Sequence, residues 1–170
     1  MVHTHLPAIL QFFDDIELPY RLAPVAEESF LPGINIHQGI LVIDKKRLAH
    51  EGDLLHEAGH LAVTDRHHRA TLSGDVKKWG HQGGEEMAAM AWSWAALQAI
   101  GLPPSVVFHE HGYRGAAANL ITAFSTNPGP GVPLLYSWFM CLAPEQLQGF
   151  PVMQQWFRDD AYTHRQLALL

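Results

Sequence analysis

Residues 53–63 read Asp53-Leu54-Leu55-His56-Glu57-Ala58-Gly59-His60-Leu61-Ala62-Val63. Within them, His56 and His60 stand four positions apart, with Glu57 beside the first. A helix turns about 100° per residue, so positions i and i+4 share a face and lie about 6 Å apart along its axis. Two imidazoles so spaced can hold one metal ion together. The glutamate next to them is then close enough to take a proton from a water on that ion. The chain has 12 histidines in 170 residues. At that composition roughly 0.04 such patterns are expected by chance, so this one carries information.

The surrounding residues fit the helical reading. Leu54, Leu55, Ala58, Leu61 and Ala62 form an apolar back for the same helix, and Asp53 suits its N-cap. Gly59 costs about 1 kcal/mol in a helix interior relative to alanine. Its bare backbone is expected to let another element approach closely, as a metal site requires.

Composition bounds the rest. The length suits one domain, residues 1–170, and 48% hydrophobic residues are enough to build a core. A net charge of −6 and no basic block longer than Lys45-Lys46-Arg47 argue against a nucleic-acid surface. Cys141 is alone, so no disulfide forms within the chain, and its apolar neighbours suggest an inert core residue. The opening Met1-Val2-His3-Thr4-His5 lacks a basic stretch followed by an apolar one, and no run is long enough to span a membrane. The expectation is a cytoplasmic protein without a membrane partner, with His3 and His5 on a flexible terminus.

Along the chain, 6–18 reads as a helix ended by Pro19 and 20–33 as irregular. Residues 34–37 and 39–44 read as strands parted at Gln38-Gly39. The histidine helix runs over about 53–64. Residues 65–84 read as a long polar loop, 85–100 as a strong helix closed by Gly101, and 115–124 as a further helix. Residues 126–131 break the chain. Pro133 and Pro144 then suit the first turns of helices over 133–142 and 144–159. The sum is an α+β fold, helix-dominated, with a small sheet before the two-histidine helix. The core lies at about 34–100 and a helical part at 101–170.

A catalytic zinc usually has three protein ligands and an open position. A third histidine six residues after the second is excluded, because position 66 is Arg66. The alternative is a carboxylate from the following helix, which opens with Glu85 and Glu86. Acidic residues are favoured in a first helical turn whatever their role. Glu86 is the first choice as ligand and Glu85 the alternative. The polar loop offers Asp75 and His81 as substitutes.

These residues resemble the gluzincin type of zinc metallopeptidase, and more closely the ImmA/IrrE-type metallopeptidase domain. That family joins a short β-rich lead, an H-E-x-x-H helix and a later helix with an E-x-x-A-N-x-F-A-like pattern. Here the lead is Gly39-Ile40-Leu41-Val42-Ile43-Asp44, and the later helix offers Glu86-Met87-Ala88-Ala89-Met90-Ala91-Trp92-Ser93. Met90, Trp92 and Ser93 depart from the family's Asn, Phe and Ala. The resemblance covers about residues 34–100. It implies zinc (Zn2+) held by His56, His60 and Glu86, with Glu57 as general base. The pentapeptide is also similar to that of membrane-bound ATP-dependent zinc proteases, but the chain has no Gly-x-x-x-x-Gly-Lys nucleotide loop.

The expected activity is hydrolysis of a peptide or protein substrate, with a non-catalytic zinc domain serving protein recognition as the alternative. His109, His111, Tyr113 and Arg114 cluster in a loop that can supply donors to the transition state. Strand 40–43 is a candidate edge on which a substrate could pair.

Overall fold

The computed structural model describes residues 2–80, 83–126 and 128–160. Its fold is α+β and helix-dominated: α1 (Leu6–Asp15), β1 (Tyr20–Leu22), β2 (Ile34–His37), β3 (Ile40–Ile43), α2 (Asp53–Val63), α3 (Arg66–Arg69), α4 (Gly84–Ile100), α5 (Ala117–Thr126) and α6 (Val132–Ser137). No helix among the described residues is long and apolar enough to cross a membrane.

The sheet has the order β1-β3-β2, with β1 parallel and β2 antiparallel to β3. Strands β2 and β3 form a hairpin whose two turn residues, Gln38 and Gly39, both have positive φ. Such turns match the right-handed twist of the flanking strands. Two sequence expectations change here. Residues 20–33 are not wholly irregular, because Tyr20–Leu22 pairs with Leu41–Ile43. A strand of three residues is too short for an alternating pattern to show. Strand 40–43 is therefore central, bonded on both sides, and cannot serve as an edge for a substrate.

Helix α2 packs on α4 through small residues. Ala88, Ala89, Ala91, Ala95 and Ala96 of α4 are buried, as are Ala58, Gly59 and Ala62 of α2. At the closest point a Cβ built on Gly59 would lie 2.8 Å from the Ala89 carbonyl oxygen. One turn beyond Ala88 and Ala89, α4 carries Trp92, fully buried beside Phe12 and Trp156. Gly52, just before α2, meets the backbone of Val106 closely enough to exclude any side chain.

The C-terminal end of α2 needs partners for its last carbonyls, and two arginines bring them. Arg69 Nε donates to the Leu61 carbonyl at 3.1 Å and its Nη2 to that of Thr64 at 3.0 Å. The Arg158 backbone N–H donates to Ala62 at 2.9 Å, and its Nη1 to Val63 at 3.4 Å. Arg69 also bonds the Arg158 carbonyl, while the Trp92 indole N–H holds the carbonyl of Trp156 at 2.9 Å. Residues 156–159 thus form a strap across the end of α2.

That strap replaces the helix expected over 144–159. Turns and an isolated bridge, Cys141 to Met153, fill this region. Gln148 has φ 62°, and Pro151 has no N–H for a helical bond. The helix expected over 133–142 ends at Ser137, and Phe139 has φ 60°. The loop expected over 65–84 contains α3 and a 3-10 turn, Val76–Trp79. Asp65 and Asp75 cap their N-termini through side-chain oxygens. Such short pieces are set by their caps and leave no periodicity to read. The N-terminus is tied down as well, with the His5 N–H on the Glu51 carboxylate at 3.0 Å.

Gly59→Ala tests the helix contact. Alanine gains about 1 kcal/mol of helix propensity, but the added carbon must push α2 from α4. A net loss of about 1–3 kcal/mol is expected in urea unfolding. A stabilised variant would show that the contact is loose.

Candidate metal centre

Helix α2 presents His56 and His60 one turn apart, and α4 presents Glu86 to both. His56 Nε2 lies 3.0 Å from one Glu86 oxygen and His60 Nε2 2.9 Å from the other. The two Nε2 atoms are 3.2 Å apart, and the rings stand nearly perpendicular. Ligand atoms about 2.1 Å from a tetrahedral ion sit about 3.4 Å from one another. The observed triangle is slightly tighter than that. The donors fit a zinc-like ion, with a small expansion on binding. Among the described residues this is the one group of three or more such donors close enough to share a metal.

The choice between the two glutamates follows from the rotation of α4. Glu86 faces α2, whereas Glu85 lies in a separate cavity with Asp65, His68 and Arg158. Asp75 lines the same cleft as the two histidines, and its side chain caps the 3-10 turn by accepting from the Lys77 N–H at 3.0 Å. His81 lies outside the described residues.

Burial separates the two carboxylates of the site. Glu86 is half-buried, which would raise its pKa, but the hydrogen bonds and charges of His56 and His60 hold it well below the usual carboxylate range. Glu57 is buried and lines the same cleft, and its carboxyl is pushed up to about 7. Desolvation is the main cause; His56 opposes it, while Glu86, Asp53 and Asp75 add to it. Burial pulls His56 down, but Glu86, joined by Glu57 and Asp53, outweighs it, so His56 is raised above the ordinary histidine value.

The loop candidates separate into three situations. The Tyr113 hydroxyl lies 3.2 Å from His56 Nδ1. With Nε2 turned to an ion, Nδ1 carries the hydrogen and donates to the tyrosine oxygen. The tyrosine O–H then remains free to donate into the cleft. Burial, reinforced by Asp53, Glu86 and Glu57, pushes the Tyr113 pKa well up, so the hydroxyl keeps its proton. Tyr113 and Arg114 both have positive φ, at 55° and 52°. That is a strained backbone for two side-chain-bearing residues, and it occurs where the chain meets the site.

His109 does not face the donors. Its Nε2 donates to Asp53 Oδ1 at 2.7 Å, which fastens the loop to the start of α2. Asp53 is therefore not the N-cap; Gly52 occupies that position without a side-chain bond. His111 is exposed and stacks on His50 at 5.4 Å, away from the cleft. Sequence reasoning missed Phe30, Leu31, Val76 and Lys77, which line the cleft from the segment after β1 and the 3-10 turn. The sequence offered only an apolar pair, Phe30-Leu31, inside a proline-containing segment.

Two binding measurements test the donor set. Changes beside a metal ligand typically weaken affinity about 10–100-fold. Tyr113→Phe should fall in that range, Glu86→Gln should exceed it, and Glu85→Gln should leave zinc affinity nearly unchanged in competition titrations. Equal losses at both glutamates would overturn the assignment of Glu86. The ion-free His56 holds its proton to higher pH than an ordinary histidine, so an incoming ion must displace that proton. Zinc affinity should therefore rise with pH through neutrality, with proton release visible as a buffer-dependent heat in calorimetry.

No protein-family model, curated protein or solved structure matches this chain.

Proposed function

We propose that the protein is a zinc-dependent metallopeptidase, acting in the cytoplasm on a peptide or protein substrate. The observation that carries this reading is the convergence of His56, His60 and Glu86 beside a buried carboxylate, Glu57, in one open cleft of about 210 Å³. A purely structural zinc is normally closed by four cysteine or histidine ligands. Here three donors converge from α2 and α4, and a solvent-accessible face remains. The gluzincin-like order of the residues, with Glu86 after the two-histidine helix, supports the same reading.

When bound, zinc would lower the pKa of a water and polarise the substrate carbonyl. The chain's own groups supply the remaining steps. Glu57 accepts a proton from the attacking water and passes it to the departing amine. A carboxyl with a pKa near neutrality suits both transfers. Glu57 acts in its carboxylate form in the first step, the form that a neighbouring positive charge would favour. Tyr113 donates its hydroxyl hydrogen to the oxygen that gains charge. Asp53 and His109 hold the loop on which Tyr113 stands.

Glu57→Gln tests the reading directly. The amide keeps the shape and removes the base, so zinc content should stay at one per chain. Hydrolysis of a casein or mixed-peptide substrate should fall by about 10²–10⁴-fold. Unchanged hydrolysis, or a zinc-loaded wild type that cuts nothing, would sink the proposal.

A further inference from the structure

The mouth of the cleft has an uneven distribution of charge. Four carboxylates reach it: Asp53, Glu57, Asp75 and Glu86. Asp53 is held by His109, Asp75 caps a turn, Glu86 bridges the two imidazoles and Glu57 is buried. Two cations line the same cleft, Lys77 from the 3-10 turn and Arg114 from the strained loop. Both are exposed, and among the described residues neither has a carboxylate within ion-pair distance. The negative groups are thus turned inward and engaged, while the positive ones face solvent.

The apolar lining stands beside these cations. Phe30 is 63% exposed although it edges a cleft, and Leu31 and Val76 lie with it. Lys77 Nζ stands 5.9 Å from the centre of the Phe30 ring. An exposed aromatic ring with a cation above it is a surface for an apolar side chain next to a negative one. The chain's net charge of −6 does not oppose this. At physiological salt, charges farther than about 8 Å away are largely screened, so the nearby cations dominate.

We propose that the cleft selects peptide segments carrying an acidic side chain beside a large apolar one at the bond to be cut. Arg114 and Lys77 receive the acidic group, and Phe30, Leu31 and Val76 receive the apolar one. This specificity rests on the metallopeptidase reading, and it gives the site a substrate class. Arg114 stands in the loop whose backbone has positive φ at both Tyr113 and Arg114.

Binding to zinc-loaded Glu57→Gln protein separates recognition from turnover. Three fluorescein-labelled peptides with one leucine-phenylalanine core would differ only in flanking residues, which are glutamate, glutamine or lysine. Fluorescence anisotropy should give the glutamate peptide at least about five-fold tighter binding than the lysine peptide, with the gap closing as salt rises. Arg114→Glu and Lys77→Glu, each added to that background, should each shift the ratio towards the lysine peptide. Equal affinities for the three peptides, or a ratio unmoved by both charge reversals, would overturn the inference even if the wild type cleaves them all. A preserved ratio with no cleavage by the wild type would sink the peptidase reading alone.

Discussion

The closeness of α2 and α4 at Gly59 and Ala89 is the constraint on which the site depends. Glu86 is one helical turn from Ala89, and His56 and His60 lie on either side of Gly59. A carboxylate side chain is short, so Glu86 can touch both imidazoles only if the two backbones nearly meet. Glycine on one helix and alanine on the other permit that approach. The poor helix propensity of glycine is offset by the packing it allows. The buried alanines along α4 keep that helix slim, and Trp92 supplies its bulk one turn further on.

The same geometry separates the behaviour of two glutamates. Glu86 accepts from two imidazoles and is held in its charged form. Glu57, one residue from His56 on the same helix, lies in a drier place and is pushed towards neutrality. The two carboxyl groups thus stand in diverging environments, one favouring the charged form and the other the neutral one. Tyr113 completes the arrangement from outside the two helices. It braces His56 through the ring nitrogen that faces away from the donors.

Much of this was legible in the sequence, and the limits have physical causes. The two-histidine helix was readable from its apolar period near 3.6, and the helix after residue 84 from its run of alanines and methionines closed by Gly101. Glu86 could be preferred to Glu85, but the decision belongs to the rotation of α4 against α2, which a single helix does not encode. The central place of β3 depends on Tyr20–Leu22, a three-residue strand paired across some twenty residues of chain. Residues 144–159 were misread because Pro144 suits a first helical turn. Pro151 and the left-handed Gln148 outweigh that signal. Arg69 and Arg158 act through a guanidinium and a backbone N–H on distant carbonyls, and no spacing rule reveals such partners.

The strap over 156–159 has a consequence for the order of assembly. A ribosome releases α2 and α4 well before Arg158, and until then the Ala62 and Val63 carbonyls lack the partners that the strap brings. His60 is on that final turn. Until the strap docks, that turn is free to fray. The turn that carries His60 is therefore steadied late, by an arginine 95 residues beyond Val63.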